Sequence, residues 1–77
     1  MTGPIDFELR GDYIALASLL KFTGVADSGG HAKTLVANGQ VRVDGQVELR
    51  KTCKIRAGQV VTLSDATIRV LPPSQPA

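Results

Sequence analysis

The chain has 77 residues, of which 43% are hydrophobic and 21% are charged, and its net charge is +2. A chain of this length forms one domain that buries only about 60% of its unfolded surface, which excludes a deep cleft with walls of its own. The apolar share is ordinary for a globular protein, so we expect an ordered core and disorder only at the ends.

The single cysteine, Cys53, excludes an internal disulfide and indicates a reducing compartment. The sequence has no run of 18 apolar residues, and residues 1–4 lack the basic and apolar regions of a signal peptide. We therefore expect a cytoplasmic protein that makes no membrane contact.

The charges are distributed unevenly along the chain. Residues 1–32 contain two cations and four anions, a net charge of −2, whereas residues 33–77 contain seven cations and three anions, a net charge of +4. This asymmetry favours a nucleic acid or another acidic surface as the partner. The alternative is a soluble surface whose charge is merely uneven.

The first predicted elements are a strand and a helix. Apolar and polar residues alternate over residues 5–10, which is typical of a half-buried strand. Gly11 ends this strand, and Asp12 is placed to cap a helix that starts near Tyr13. The helix ends at Gly24. Its apolar stripe consists of Leu16, Leu19 and Leu20.

A second helix of about ten residues is predicted to begin at Ser28, which is a favourable N-cap residue. It ends at Asn38 and Gly39. Its apolar residues are Ala32, Leu35 and Val36. Two short helices joined by roughly five residues resemble a helix-turn-helix pair.

The second half of the chain reads as strands. Residues 41–43 and 47–49 alternate in polarity around Asp44 and Gly45, which predicts a hairpin. The later segments are an irregular basic stretch at 50–54, a strand residue at Ile55, strands at 60–63 and 67–71 separated by Ser64 and Asp65, and a disordered tail at 72–77. We therefore predict one α+β domain over residues 1–71, with two short helices packed on a small antiparallel or mixed sheet.

The order and spacing of these elements over residues 16–61 resemble the small RNA-binding fold named after small-subunit ribosomal protein four, hereafter S-four. The shared features are a leucine-rich helix with a glycine stop, a serine-started helix, valines around an Asp-Gly turn, and a hydrophobic-Gly-hydrophobic strand. They are Leu16, Leu20, Gly24, Ser28, Ala32, Leu35, Val36, Gly39, Val41, Val43, Asp44, Gly45, Ile55, Gly58 and Val60. The start at Ser28 and the run 50–55 most resemble the stand-alone bacterial YbcJ-type members.

The resemblance implies an alpha-L RNA-binding motif in a non-catalytic module for structured RNA, with ribosomal RNA among the candidate targets. Two features depart from the family. Ala15 and Ala17 stand where many members have Arg and Asp, and Gly29 stands where many have Arg or Lys. These departures leave the identity of the RNA open.

A phosphate-binding site is predicted at the start of the second helix. The amides of Gly29, Gly30 and His31 have no partner within the helix, and the helix dipole adds partial positive charge there. Lys33 lies four residues after Gly29, and its ammonium leans back toward these amides. Amides and a cation in this arrangement suit a phosphate. The alternative is a tight turn beside a solvated Lys33.

The remaining candidates are basic side chains of the second half. Arg42 alternates with two valines, so it faces away from the core, and Glu48 is predicted across from it on the same face. Four further cations occur within seven residues, on irregular chain that can follow a phosphate backbone. The predicted RNA-binding residues are Ser28, Gly29, Gly30, Lys33, Arg42, Arg50, Lys51, Lys54 and Arg56. We expect them to share one surface patch; the alternative for the basic run is a solvated face.

Other chemistry-bearing residues are given structural roles. Phe7 and Phe22 are predicted in the core, which leaves Tyr13 as a stacking platform and favours recognition by shape over stacking of unpaired bases. His31 is predicted to be neutral, exposed and not a metal ligand. Cys53 is predicted to be a semi-buried filler, the alternative being a thiol whose pKa the nearby cations lower.

We find no catalytic set, cofactor motif or metal-ligand spacing, so we expect a protein that is not an enzyme and has no cofactor. We also expect the protein to be a monomer. The alternative function is a protein-interaction adaptor that docks an acidic partner on the same basic face. DNA binding ranks third, because the second helix offers few base-reading side chains beyond Lys33 and Thr34. The sequence leaves open which RNA is bound.

Overall fold

Two helices lie on one face of a five-stranded sheet in the computed structural model, which describes residues 4–63 and 66–73. The elements are β1 (Ile5–Glu8), β2 (Ile14–Ala15), α1 (Leu16–Phe22), α2 (Gly29–Ala37), β3 (Val41–Val43), β4 (Gln46–Val47), β5 (Lys54–Ile55), β6 (Val60–Leu63) and β7 (Ala66–Leu71). The predicted α+β class with two short helices is confirmed. The turn predicted at residues 64–65 and positions 74–77 of the predicted tail lie outside the described residues.

The main sheet is mixed. Its strand order is β1-β7-β6-β3-β4, with β1 parallel to β7 and the other neighbours antiparallel. The short strands β2 and β5 form a separate antiparallel pair, in which Ile14 is opposite Ile55 and Ala15 is opposite Lys54. Among the described helices, neither has the length and apolar character needed to cross a bilayer.

One face of the main sheet is buried under the helices, because alternate residues of its strands are apolar. The buried residues of β3, β6 and β7 are Val41, Val43, Val61, Leu63, Ile68 and Val70. They form one cluster with Leu16, Leu19 and Leu20 of α1, Ala32 and Val36 of α2, and Ile55. Charged side chains lie on the opposite face, where Nε of Arg69 donates to Oδ1 of Asp6 at 2.8 Å.

Helix α2 begins and ends as its local sequence predicts. The Oγ of Ser28 accepts a hydrogen bond from the amide of His31 at 3.1 Å. At the other end Gly39 has φ +74°, a conformation that favours glycine. Its amide donates to the Val36 carbonyl at 3.1 Å, and the next amide donates to the Leu35 carbonyl at 3.3 Å. These two bonds form a Schellman motif, which satisfies carbonyls at the helix end.

The hairpin between β3 and β4 is also confirmed. Val43 pairs with Gln46, so the turn has two residues, and both Asp44 (φ 53°) and Gly45 (φ 86°) have positive φ. This is the conformation of a type I′ turn. Oδ1 of Asp44 accepts from the amide of Val60 at 3.0 Å, which ties the turn to β6. Strand β4 is shorter than the predicted strand at 47–49.

The predicted start of α1 is wrong. The helix begins at Leu16, its N-cap residue is Ala15, and no side chain caps it. Instead, the Leu16 amide donates to the Cys53 carbonyl at 2.9 Å, and the Ala17 amide donates to the Lys51 carbonyl at 3.0 Å. Backbone carbonyls from a segment distant in sequence therefore replace the side-chain cap predicted at Asp12. The helix starts later than predicted because residues 14–15 pair with β5 as a strand.

Candidate nucleic-acid interface

The start of α2 presents open backbone amides. Among the described residues, the amides of Gly29 and Gly30 donate no hydrogen bond, whereas the His31 amide donates to Ser28. The predicted set of three free amides therefore reduces to two. A side chain at Gly29 would meet nothing within 4 Å, and one at Gly30 only the Ser28 Oγ at 3.9 Å. An anion can approach both amides closely.

His31 helps to hold the loop before α2. Its Nδ1 accepts a hydrogen bond from the Asp27 amide at 3.0 Å. The residue is exposed, as predicted from the sequence. The Asp27 carboxylate lies 4.0 Å from the same nitrogen and is almost fully exposed. Its negative charge partly offsets the positive potential at the helix start.

Lys33 and Arg42 lie on opposite sides of the sheet. Lys33 is exposed on α2, in the helix layer. Arg42 is exposed between buried Val41 and Val43, so it points from the sheet face that the helices leave uncovered. The expectation of a single patch is therefore wrong for Arg42. Its partner on β4 is Val47, not Glu48.

Glu48 pairs with Arg50 instead. The backbone amide and Nε of Arg50 donate to Oε2 of Glu48 at 3.0 and 3.1 Å. These hydrogen bonds hold the pKa of the Glu48 carboxyl below its usual value, and the same contact raises the pKa of Arg50. The Arg50 side chain stays 77% exposed, with further N–H donors available to a ligand.

The segment from 51 to 53 is fixed by its main chain. Its carbonyls at Lys51 and Cys53 accept from the start of α1, while the Lys51 side chain is exposed. Cys53 is partly buried against the core, which confirms the predicted filler. Burial, followed by the charge of Glu48, raises the pKa of the Cys53 thiol. The alternative in which cations lower that pKa is wrong.

Lys54 and Arg56 meet at an aromatic ring. The Nζ of Lys54 lies 5.0 Å from the centroid of the Tyr13 ring, and the Cζ of Arg56 lies 5.8 Å from it. Both distances are within the range of cation–π contact. Tyr13 is brought there by the pairing of the next two residues with β5. It therefore holds two cations in place, a role that sequence reasoning missed.

The core position predicted for Phe22 is wrong, since Phe22 is 67% exposed. Phe22 is the last residue of α1 and lies only about 60° around the helix from Leu19, so helical spacing in the sequence did not separate it from the leucine stripe. Phe7 is partly buried and packed against the core, as predicted.

Phe22 borders a concave surface, hereafter the aromatic groove, that sequence reasoning did not find. Its volume is about 470 Å³. The residues that line it include Phe7, Arg10, Tyr13, Ile14 and Phe22. An exposed arginine and two exposed aromatic rings thus share one depression beside α1.

The predicted residues of the helix layer spread along α2. Leu49 lies at the C-terminal end of this helix, since its Cδ2 is 3.7 Å from where a side chain at Gly39 would begin, and Arg50 follows it. Residues 28–30 form the N-terminal end, and nine helical residues, about 13 Å of helix, separate the two. A ligand that follows α2 from one end to the other passes the position of Lys33 in the helix.

The comparisons with known proteins identify the fold. Residues 7–71 match the S4 domain, which is the S-four fold predicted from the sequence. YbcJ of Escherichia coli (strain K12) is 48% identical over 59 residues, which cover 77% of this chain and 84% of that protein, and YbcJ of Shigella flexneri gives the same values. The solution structure of E. coli YbcJ reveals an αL motif involved in RNA binding.

That structure has a TM-score of 0.72 with this chain and 43% sequence identity, and it covers 92% of this chain and 91% of the other. The two folds therefore match over nearly the whole length of both chains. The chain belongs to the S4 domain family, as its sequence predicted.

Proposed function

We propose that this protein is a non-catalytic RNA-binding module over residues 1–71. It recognises structured RNA, with ribosomal RNA among the candidates, through the helix layer. The observation that carries this proposal is the fixed cationic segment: the carbonyls of Lys51 and Cys53 cap α1, while the side chains of Arg50 and Lys51 remain exposed. The RNA-binding αL motif of E. coli YbcJ supports it.

The physical reason is preorganisation. A flexible lysine-rich loop would lose conformational entropy when it binds, whereas this segment is already held by two backbone hydrogen bonds. The open amides of Gly29 and Gly30 add uncharged donors at the other end of α2. Lys33 lies on the same helix between these two ends, so a phosphate backbone that follows α2 would have a cation between them.

Affinity should come mainly from counterions that the RNA releases. With four or five phosphates engaged, the logarithm of the affinity should fall against the logarithm of the salt concentration with a slope of about −3 to −4. Fluorescence anisotropy of a labelled ribosomal RNA hairpin, titrated from low to high salt, measures this slope. An affinity that does not change with salt would contradict the proposed mechanism.

Charge reversal tests where the RNA binds. Changing Lys33, Arg50 and Lys51 together to Glu should abolish binding, while the Tm should stay within a few degrees because all three side chains are exposed. Arg42→Glu is the matched control on the opposite sheet face and should bind nearly as the wild type does. Binding retained by the triple variant would assign the site elsewhere.

A second candidate function is a protein-interaction adaptor that docks an acidic partner on the basic segment. One exposed apolar residue favours it, since Leu49 is 60% exposed immediately before Arg50. A pull-down after nuclease treatment separates the two functions. Partners held through RNA are lost, whereas an acidic protein bound directly remains.

A further inference from the structure

The aromatic groove combines two features that the backbone-binding function does not use. Phe22 is 67% exposed and Tyr13 is 47% exposed, although both rings border the same depression. The rim carries cations, because Arg10 lines the groove and both Lys54 and Arg56 contact the Tyr13 ring. An apolar surface beside clustered positive charge matches the chemistry of a nucleotide, with its flat base and its phosphate.

We propose that the aromatic groove receives one unpaired base of the bound RNA, stacked on Phe22, with the flanking phosphates at Lys54 and Arg56. This inference rests on the proposed function and specifies its substrate class as structured RNA that contains a bulged or looped-out nucleotide. Stacking on an aromatic side chain tolerates any base, because each base has a π face.

The charges around the groove favour this occupant. Arg10, Lys54 and Arg56 are exposed cations, and Asp12 is the acidic residue next to Tyr13 in sequence. Glu8 alternates with the groove residue Phe7 along β1, so its carboxylate points to the other face of the sheet. The rim is therefore net positive, which suits a phosphate flanking the inserted base.

The roles of the two rings differ. Tyr13 already holds Lys54 and Arg56 within 5.0 and 5.8 Å of its centroid, so its loss would also release the phosphate-binding side chains. Phe22 ends α1 at the edge of the fold, and its removal leaves the core intact because it is mostly exposed. Phe22 is therefore the residue with which to test stacking alone.

The experiment uses two RNA hairpins that differ by one bulged adenine, replaced by the fluorescent analogue 2-aminopurine. The wild-type protein should bind the bulged hairpin more tightly than the fully paired one and should quench the analogue. Phe22→Ala should lose that preference, on the order of 5- to 150-fold, yet bind the paired hairpin with unchanged affinity and salt slope. Phe22→Tyr should retain the preference.

Val47→Ala is the matched control, since it removes an exposed apolar side chain opposite Arg42 on the uncovered sheet face and should change neither affinity. Equal wild-type binding to both hairpins overturns the inference and leaves the proposed function standing. If the wild-type protein binds neither hairpin, both the inference and the proposed function are overturned. A monomer–dimer equilibrium in sedimentation that Phe22→Ala abolishes would assign the groove to a second copy of the chain and would also overturn the inference.

Discussion

The two helices of this protein differ in how the backbone amides of their first turn are hydrogen-bonded. At α2, a local side chain caps the helix: Ser28 accepts from the His31 amide, and the amides of Gly29 and Gly30 stay open among the described residues. At α1 no side chain caps the helix, and the Leu16 and Ala17 amides donate to carbonyls of a distant segment.

The difference separates a proposed binding end from a structural end. At the α1 end the protein's own carbonyls occupy the first two amides, and these bonds fix the basic segment beside it. The α2 end is left available and adds the partial positive charge of its dipole. In a domain too small for a deep cleft, one helix end thus positions cations and the other remains free for a ligand.

The largest effect on stability is expected from Ile55→Ala, which removes a buried side chain next to the segment that caps α1. Ile55 is fully buried and pairs with Ile14, so it anchors the strand that follows the capping carbonyls. The free energy of unfolding, measured by denaturant titration, should fall by about 2–5 kcal/mol, against about 0.5–1.5 kcal/mol for Ile55→Val. Val47→Ala, at an exposed site, should cost at most about 0.5 kcal/mol.

Hydrogen exchange sharpens this test. In the milder Ile55→Val variant, the amides of Leu16 and Ala17 should exchange faster, because the carbonyls that bind them are less firmly held. The His31 amide should be unaffected, because its acceptor is the neighbouring Ser28 side chain. Equal acceleration at both helix starts would contradict the distinction between them.

Intermediate effects on stability and on RNA affinity are expected from substitutions of Ser28, the N-cap residue of α2. Ser28→Ala should lose about 1 kcal/mol of stability with the cap. Ser28→Asp should keep the stability, since a carboxylate also accepts from the His31 amide and interacts favourably with the dipole. It should nevertheless weaken RNA binding about fivefold at low salt, because an added negative charge near a phosphate costs about 1 kcal/mol in water. Unchanged affinity of Ser28→Asp would place the RNA away from this end.

The smallest effect on RNA affinity is expected from Glu48→Gln, which removes the negative charge that pairs with Arg50. RNA affinity at low salt should rise about twofold, since exposed ion pairs are weak. Glu8→Gln, on the other face of the sheet, is the matched control. A larger gain from Glu8→Gln would contradict a specific role of the pair.

The same pair gives a pH dependence with a defined sign. Because the pKa of Glu48 is lowered in the folded protein, its contribution to stability is present above the unfolded-state pKa and is lost as pH falls through the folded-state value. The difference in stability between wild type and Glu48→Gln should therefore shrink in acid, below the usual carboxyl pKa of about 4.3. Thermal unfolding at neutral and acidic pH measures it. A difference that grows in acid would reverse this assignment.

Much of the helix and hairpin geometry could be predicted from the sequence because the signals are local. Ser28 acts on a residue three positions later, and the Asp44-Gly45 turn joins strands that are adjacent in sequence. The family resemblance rested on the order of these same signals, so it was confirmed along with them.

The candidate site was predicted less completely. Exposure of the cations followed from their charge, but Arg42 was assigned to the same patch as Lys33, although strand alternation turns it to the uncovered sheet face. Phe22 was assigned to the core, but it is the last residue of α1 and is mostly exposed. The Arg42 error came from grouping residues by chemical type instead of by sheet face, whereas the exposure of Phe22 depends on what the rest of the fold packs against the end of α1.

The start and end of α2 and the position of the hairpin turn follow from the local sequence, because each depends on bonds within a few residues. The start of α1 at Leu16, the pairing of Glu48 with Arg50 and the contacts of two cations with Tyr13 appear only in the folded chain. These features depend on the pairing of β2 with β5 and on the path of the chain after β4. Both are set by contacts between distant parts of the fold, and no local sequence signal indicates which of the possible contacts form.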